Sequence, residues 1–205
     1  MTERTIIKNI SIINEGQIIV QDLLIDNGII QNIGQLYDDN NAKVIDGTGK
    51  YLFPGMIDGQ VHFREPGLTH KGDLYTESKA AVAGGVTSFI DMPNTVPNVL
   101  TIDILNEKYR IASKQSLANF GFFLGINGDN LDEVLKLDTS KLLGVSDDGL
   151  YFTKKGNLLA DNPETMEKLF ASCKSIIAIH SEKEQIVEEN EHIYRCEINA
   201  FLPLL

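Results

Sequence analysis

The chain has 205 residues, and its 29 Asp and Glu against 18 Lys and Arg give a formal charge of −11. This charge argues against duplex nucleic acid or an anionic membrane surface as a partner, because both bind to basic patches. No run approaches the roughly 20 apolar residues of a membrane span, and the N-terminus lacks the apolar core of a secretory signal. We therefore expect a globular cytoplasmic protein in which Cys173 and Cys196 remain reduced.

Residues 1–53 predict a small antiparallel β module. Short runs of β-branched residues are separated by Asn14-Glu15-Gly16 and Asp26-Asn27-Gly28, whose composition is typical of hairpin turns. The predicted strands span residues 5–7, 10–13, 17–20, 22–25, 28–33 and 43–45.

From residue 54 to residue 205, predicted strands alternate with predicted helices. This alternation indicates a parallel sheet covered by helices. Asn162 is the expected N-cap of the fourth helix, with Pro163 at its first position, and Ser181 with Glu184 forms a capping box for the fifth. The predicted strands span residues 56–63, 86–92, 120–126, 142–146 and 175–180, and the first three helices span residues 73–83, 102–114 and 131–137.

The fold class that we expect is α/β, as a partial (β/α)8 barrel. Polar residues gather at the C-terminal ends of the strands, where both barrels and doubly wound sheets bind ligands. The first strand is not followed by a Gly-x-Gly-x-x-Gly sequence, which favours the barrel. A complete barrel needs about 250 residues, whereas this chain holds about five β-α units. We therefore interpret it as a fragment or a truncated product.

The segment around the first strand of this second domain is the richest in reactive side chains. Asp58, Gln60, His62 and Arg64 are expected to share one face, because side chains alternate along a strand. His62 can ligate a metal, and Arg64 can hold a carboxylate in a bidentate fork. A hydrogen-bonded histidine and a structural ion pair are the alternative roles for these two residues.

Three later strands end in further candidate residues. The side-chain amide of Asn94 suits an amide-like substrate, and a carboxylate from Asp147 or Asp148 can bridge metal ions or orient water. His180 ends the fifth strand and is a second candidate metal ligand. Each of these residues also fits an ordinary turn or cap.

Together these segments resemble dihydroorotases of the amidohydrolase superfamily. The most specific matches are Arg-Glu-Pro-Gly at residues 64–67 and Met-Pro-Asn-Thr at residues 92–95. The other matching segments are residues 54–58, 80–87 and 146–149, together with His62-Phe63. The resemblance covers the chain from its first strands to about residue 191.

The resemblance implies a zinc-dependent barrel with a small β-sandwich built from the start and the end of the chain. It also implies a small-molecule substrate, because dihydroorotases cyclise N-carbamoyl-L-aspartate to dihydroorotate in pyrimidine biosynthesis. His62, Asp148 and His180 would be metal ligands, with Asp148 in the bridging position. His62, Arg64 and Asn94 would contact the substrate.

Three departures from the family pattern bear on activity. Gln60 stands where the family usually has a metal-binding histidine, and an amide is a poorer zinc ligand than imidazole. The spacing also leaves Asp147 as a substitute for Asp148. The family's catalytic Asp and a later metal-binding His would lie beyond Leu205, so no catalytic residue is expected within this chain. We expect the 205-residue chain alone to be inactive.

Three functions follow from these observations. The first is a dihydroorotase, and the second is a non-catalytic dihydroorotase-like scaffold, which Gln60 favours. The third is an allantoinase-type hydrolase of cyclic amides. A second copy of the chain or a pyrimidine-pathway enzyme is the expected protein partner.

Overall fold

The computed structural model describes residues 4–36, 40–150 and 158–198, with the side chains of the last helix described as far as residue 191. The chain divides into two compact units, Met1–Gly55 and Met56–Leu205. The first unit is a β-sheet, and the second alternates strands with helices.

The first unit contains a single hydrogen-bonded sheet of five strands. The predicted strands at residues 5–7 and 10–13 are one strand, because pairing continues across a bulge at Asn9, whose φ is 53°. The predicted all-antiparallel pairing is wrong, since the two short strands after residue 40 pair with the first strand in parallel. The strands are β1 (Thr5–Asn14), β2 (Gln17–Asp26), β3 (Ile29–Gly34), β4 (Lys43–Asp46) and β5 (Tyr51–Leu52).

Both predicted hairpin turns are confirmed. Glu15 and Gly16 have φ values of 48° and 74°, and Asn27 and Gly28 have values of 55° and 75°. Two successive residues of positive φ are the conformation of a type I′ turn, whose twist matches that of the flanking strands. The small core of this unit consists of Ile10, Ile12 and Leu23, with Ile7, Ile25 and Leu52 packed against it.

A buried carboxylate holds the bulge of β1. Asp22 accepts hydrogen bonds from the backbone amides of Asn9 (2.9 Å) and Leu36 (3.0 Å) and pairs with the Lys8 ammonium at 3.1 Å. The two backbone amides, with a smaller contribution from Lys8, hold the pKa of Asp22 below its usual value.

Asp22→Asn is expected to destabilise the chain by about 1–2 kcal/mol at neutral pH, because the hydrogen bonds lose their charged acceptor. The folded pKa lies below the unfolded one, so the contribution of Asp22 is complete above the unfolded value of about 3.9 and is lost as the pH falls through the folded value. Urea unfolding of both chains between pH 2 and 7 checks this. The difference should shrink below about pH 4, whereas Glu15→Gln, an exposed control, should show no such difference. A constant difference at all pH values would contradict the electrostatic origin.

The second unit contains parallel strands separated by helices, as predicted. Its strands are β6 (Met56–Val61), β7 (Val86–Asp91), β8 (Asn119–Phe122), β9 (Leu124–Gly125), β10 (Gly144–Ser146) and β11 (Ile176–Ala178). Its helices are α1 (Leu74–Ala83), α2 (Ile102–Gln115), α3 (Leu131–Lys136), α4 (Pro163–Ser172) and α5 (Glu184–Ile198), with 3₁₀ turns at Thr139–Lys141 and Leu159–Asp161.

The strands of the second unit pair in the order in which they occur along the chain. One sheet has the order β6-β7-β8 and the other β9-β10-β11, and every pairing is parallel. The predicted strand at residues 120–126 is interrupted at Phe123, because β8 pairs with β7 whereas β9 pairs with β10. All of the strands therefore direct their C-terminal ends the same way within each sheet.

Of the two predicted helix-start signals one is confirmed, since Asn162 is the N-cap of α4 with Pro163 at its first position. Helix α1 begins at Leu74, one residue later than predicted, and Asp73 is its N-cap in a capping box with Thr76. The predicted capping box of Ser181 and Glu184 is wrong, because α5 begins at Glu184 itself. The Glu184 amide instead donates to the Asp161 side chain at 3.2 Å.

The core of the second unit lies between its strands and its helices. Phe63 and Phe89 stack at a centroid distance of 4.4 Å, and both are buried. The fully buried Leu74, Leu124 and Leu169 join them from a helix, a strand and a second helix. Among the helices of the described residues, none combines the length and apolarity that crossing a bilayer requires.

Candidate metal and substrate site

The predicted site residues come from the C-terminal ends of four strands. His62 directly follows β6, Asn94 follows β7, Asp148 follows β10, and His180 follows β11. The structure brings these four residues together, since each contacts at least one of the others.

Asp148 is the residue on which the others converge. One of its carboxylate oxygens lies 3.4 Å from His62 Nε2, and the other lies 3.7 Å from His180 Nδ1. Gln60 donates its side-chain amide to Asp148 at 2.7 Å. The Asp148 side chain is only 13% exposed, so a charge here is largely shielded from water.

The orientation of His62 is set by Asn94. His62 Nδ1 lies 2.9 Å from Asn94 Oδ1, which as an amide oxygen accepts the hydrogen bond. This leaves His62 Nε2 facing a carboxylate oxygen of Asp148 at 3.4 Å, an arrangement that is favourable with a proton or a metal ion between the two atoms. A histidine fixed in this way through its other nitrogen is the usual form of a metal ligand.

The neighbouring Asp147 has a different environment. It is fully buried, and it accepts hydrogen bonds from the backbone amides of Leu159 (2.6 Å) and His180 (2.7 Å). Burial raises the pKa of the Asp147 carboxyl, while the two amides oppose the rise. Asp147 therefore ties β10 to the chain after β11, and its oxygens are directed at backbone rather than at the histidines.

Arg64 is the one site residue whose predicted placement is wrong. It does not share the strand face of Gln60, because β6 ends at Val61 and Arg64 adopts a left-handed conformation with a φ of 70°. Its side chain instead lines a cavity of about 350 Å³ together with Asn94 and Lys71. Positive φ is uncommon for a residue with a side chain and is found where surrounding contacts demand it.

Lys71 and Gly149 are two residues of the site that sequence reasoning missed. Lys71 adds a second cation to the Arg64 cavity. Gly149 has a φ of +71°, and a Cβ placed there would lie 2.6 Å from the Cβ of Asn94 and collide with its amide. The Asp-Asp-Gly sequence carried this signal, because glycine after a strand marks a close approach of backbone to a neighbour.

The donor atoms fit zinc in type and spacing but not in number. Ligands around tetrahedral zinc are separated by about 3.3–3.4 Å, which matches the separation of 3.4 Å between His62 Nε2 and Asp148. Each histidine faces a different oxygen of Asp148. Over residues 4–36, 40–150 and 158–198, no group of three or more His, Cys, Asp and Glu side chains is placed to hold one metal ion.

Comparison with known proteins identifies relatives of this chain. A family model described as "Dihydro-orotase-like" matches residues 49–202. The chain is 35% identical to a dihydroorotase of Methanosarcina acetivorans over 198 residues, covering 94% of this chain and 42% of that protein. It is 34% identical to a dihydroorotase of Lactococcus lactis subsp. lactis over 188 residues, covering 86% and 43%. The chain thus spans less than half the length of these curated relatives.

Solved structures give a related result. The L-hydantoinase (dihydropyrimidinase) from Arthrobacter aurescens superposes with a TM-score of 0.78 at 26% identity, covering 96% of this chain and 44% of that one. A D-hydantoinase structure superposes with a TM-score of 0.69, also at 26% identity and over the same shares of the two chains. The match of the family model to three quarters of the sequence settles the relationship: the chain belongs to the dihydro-orotase-like family.

Proposed function

We propose that the protein is a cytoplasmic, zinc-dependent dihydroorotase that interconverts N-carbamoyl-L-aspartate and dihydroorotate. The observation that carries this proposal is the hydrogen bond of 2.9 Å between His62 and Asn94. Asn94 lines the Arg64 cavity and contacts the candidate metal ligand His62, so it connects the cavity to the candidate metal site. A metal site next to a cationic cavity suits a cyclic amide that bears a carboxylate.

Each side chain has a distinct role in this proposal. His62 and Asp148 would hold zinc, and His180, which faces the second oxygen of Asp148, would hold another ion. Zinc bound there would supply a Lewis acid for the amide carbonyl and would lower the pKa of a bound water. Arg64 and Asn94 bind the substrate carboxylate, which fixes the ring against the metal site.

We also propose that the second unit is the first part of a (β/α)8 barrel. Strands that pair in chain order, all parallel, are the arrangement of a barrel, whereas a doubly wound sheet reverses its order at a switch point. The strands at the two outer edges expose apolar side chains, with Ile57 of β6 71% and Ile176 of β11 58% exposed. A closed barrel covers such edges.

Gln60 supports a second candidate function, a non-catalytic dihydroorotase-like scaffold. Its amide donates to Asp148 at 2.7 Å and occupies an oxygen that a metal would otherwise take. Zinc binding separates the two candidates, because a scaffold needs no metal. Stoichiometric zinc at neutral pH supports the enzyme, and its absence supports the scaffold.

Ligand binding tests the substrate class. We expect the zinc-loaded chain to bind dihydroorotate more tightly than dihydrouracil, the same ring without a carboxylate. Arg64→Ala is expected to weaken dihydroorotate binding by about tenfold or more, because a charge-assisted bond contributes about 1.5–3 kcal/mol. Dihydrouracil binding should stay unchanged in this variant. Isothermal titration calorimetry measures both.

Arg110→Ala is the matched control, since Arg110 is exposed on α2 and pairs with Glu107. It should leave both affinities unchanged. Equal affinity for the two rings in the parent chain would contradict a carboxylate site and would favour an allantoinase-type or hydantoinase-type substrate.

A further inference from the structure

A buried ion pair lies beneath the candidate site. Lys108 of α2 is completely buried, and its ammonium lies 2.8 Å from the Asp91 carboxylate at the end of β7. It also donates to the Met92 carbonyl at 3.0 Å and lies 4.8 Å from the centre of the Phe122 ring. Burial lowers the pKa of Lys108, while Asp91 opposes the shift.

The position of Lys108 on its helix is that of a core residue. Leu105 and Ala112, three residues before and four residues after it, are buried on the same face of α2. An apolar side chain is the usual occupant of such a place. Exchanging a buried ion pair for apolar residues is often neutral or stabilising, so stability alone does not explain a lysine here.

The pair holds backbone on both sides of the candidate site. The other oxygen of Asp91 accepts a hydrogen bond from the Phe63 amide at 3.0 Å, and Phe63 stands between His62 and Arg64 in the sequence. The Met92 carbonyl that Lys108 binds lies two residues before Asn94. One buried pair thus fixes the chain that carries His62 and Arg64 and the chain that carries Asn94.

We propose that Asp91 and Lys108 are positioning residues, which set His62 and Arg64 against Asn94 through the Phe63 amide and the Met92 carbonyl. The inference rests on the proposed function, because one of the quantities that test it is the affinity of the chain for zinc. Neither residue touches the substrate or the metal in this proposal. Outer residues that orient metal ligands typically change metal affinity by about 10–100-fold when replaced.

Two double variants of the 205-residue chain separate positioning from charge. Asp91→Asn with Lys108→Met removes both charges but keeps an acceptor for the Phe63 amide. Asp91→Leu with Lys108→Met removes the charges and the acceptor. Lys114→Met is the control, because Lys114 is exposed on the same helix. Three quantities are measured: the zinc dissociation constant by chelator competition, the exchange rate of the Phe63 amide, and the chemical shifts of the His62 ring.

The chain with Asp91→Asn and Lys108→Met (the Asn-Met chain) is expected to keep the parent zinc affinity within about threefold. The chain with Asp91→Leu and Lys108→Met (the Leu-Met chain) is expected to bind zinc about tenfold or more weakly. In the Leu-Met chain alone, the Phe63 amide should exchange faster and the His62 ring signals should shift. Parent values for all three quantities in a folded Leu-Met chain would overturn the proposal.

Two further outcomes also decide the matter. If the Leu-Met chain does not fold, Asp91→Ala with Lys108→Met removes the acceptor without added volume. Failure of both to fold, with a folded Asn-Met chain, would make the acceptor a requirement of the fold and overturn the proposal. If the parent chain binds no zinc, the proposed metal chemistry fails, whereas amide exchange and the His62 signals still decide the positioning role.

Discussion

Asp148→Asn is expected to weaken zinc binding by about 100-fold or more and to leave the free energy of unfolding within about 1 kcal/mol of the parent value. Asp148 faces Gln60, His62 and His180, and each histidine lies against a different one of its two carboxylate oxygens. An amide is a poor zinc ligand. We expect the fold not to depend on this charge, because the partners of the Asp148 carboxylate are side chains and not backbone groups.

Asp147→Asn is the matched variant, and the opposite result is expected. The new amide turns one of the two acceptors of Asp147 into a donor that faces a backbone amide, of Leu159 or of His180. A buried donor left unpaired costs about 1–3 kcal/mol. Zinc affinity in the folded chain should stay within about threefold of the parent.

Chelator competition and urea unfolding of both variants make this comparison. If Asp147→Asn lost zinc and Asp148→Asn kept it, the roles of the two carboxylates would be exchanged. If neither affected zinc, the ion would bind elsewhere.

Gly149→Ala is expected to reduce the free energy of unfolding by about 3 kcal/mol. Two penalties combine here: a φ of +71°, and a Cβ that would collide with Asn94. A left-handed conformation alone costs a residue with a Cβ about 1–2 kcal/mol. The remainder comes from displacing Asn94, which should also release His62 and weaken zinc binding.

Gly85→Ala isolates the first of these penalties. Gly85 has a φ of +90°, and no atom lies within 4 Å of an added Cβ. Its cost should be about 1–2 kcal/mol, with zinc affinity unchanged. Equal costs for the two variants in urea unfolding would contradict the close approach of Gly149 to Asn94.

Local signals in the sequence predicted the local structure well. The turns at residues 14–16 and 26–28 and the start of α4 at Asn162-Pro163 depend on a few adjacent residues, so composition was enough to find them. The capping box at Ser181 failed because Asp161, distant in sequence, is bonded to the start of α5 instead. The parallel pairing of β4 and β5 with β1 likewise depends on contacts that no local pattern contains.

The candidate site also combines features that local sequence signals predict with features that depend on tertiary packing. Strand ends carrying His62, Asn94, Asp148 and His180 were visible in the sequence, because polar residues after apolar strands are a local pattern. Two features depend on tertiary packing: the left-handed Arg64 and the burial of Lys108 in a helical stripe of core residues. A lysine in a helix pattern is ordinarily interpreted as exposed.

In the proposed function, His62 and Asp148 would hold zinc at the ends of parallel strands, and His180 stands against the second oxygen of Asp148. Anomalous scattering at the zinc absorption edge, from crystals of the chain grown with zinc, locates the ion. We expect a peak about 2.0–2.2 Å from His62 Nε2 and from a carboxylate oxygen of Asp148. A peak confined to exposed residues such as His70, with none beside Asp148, would contradict this proposal.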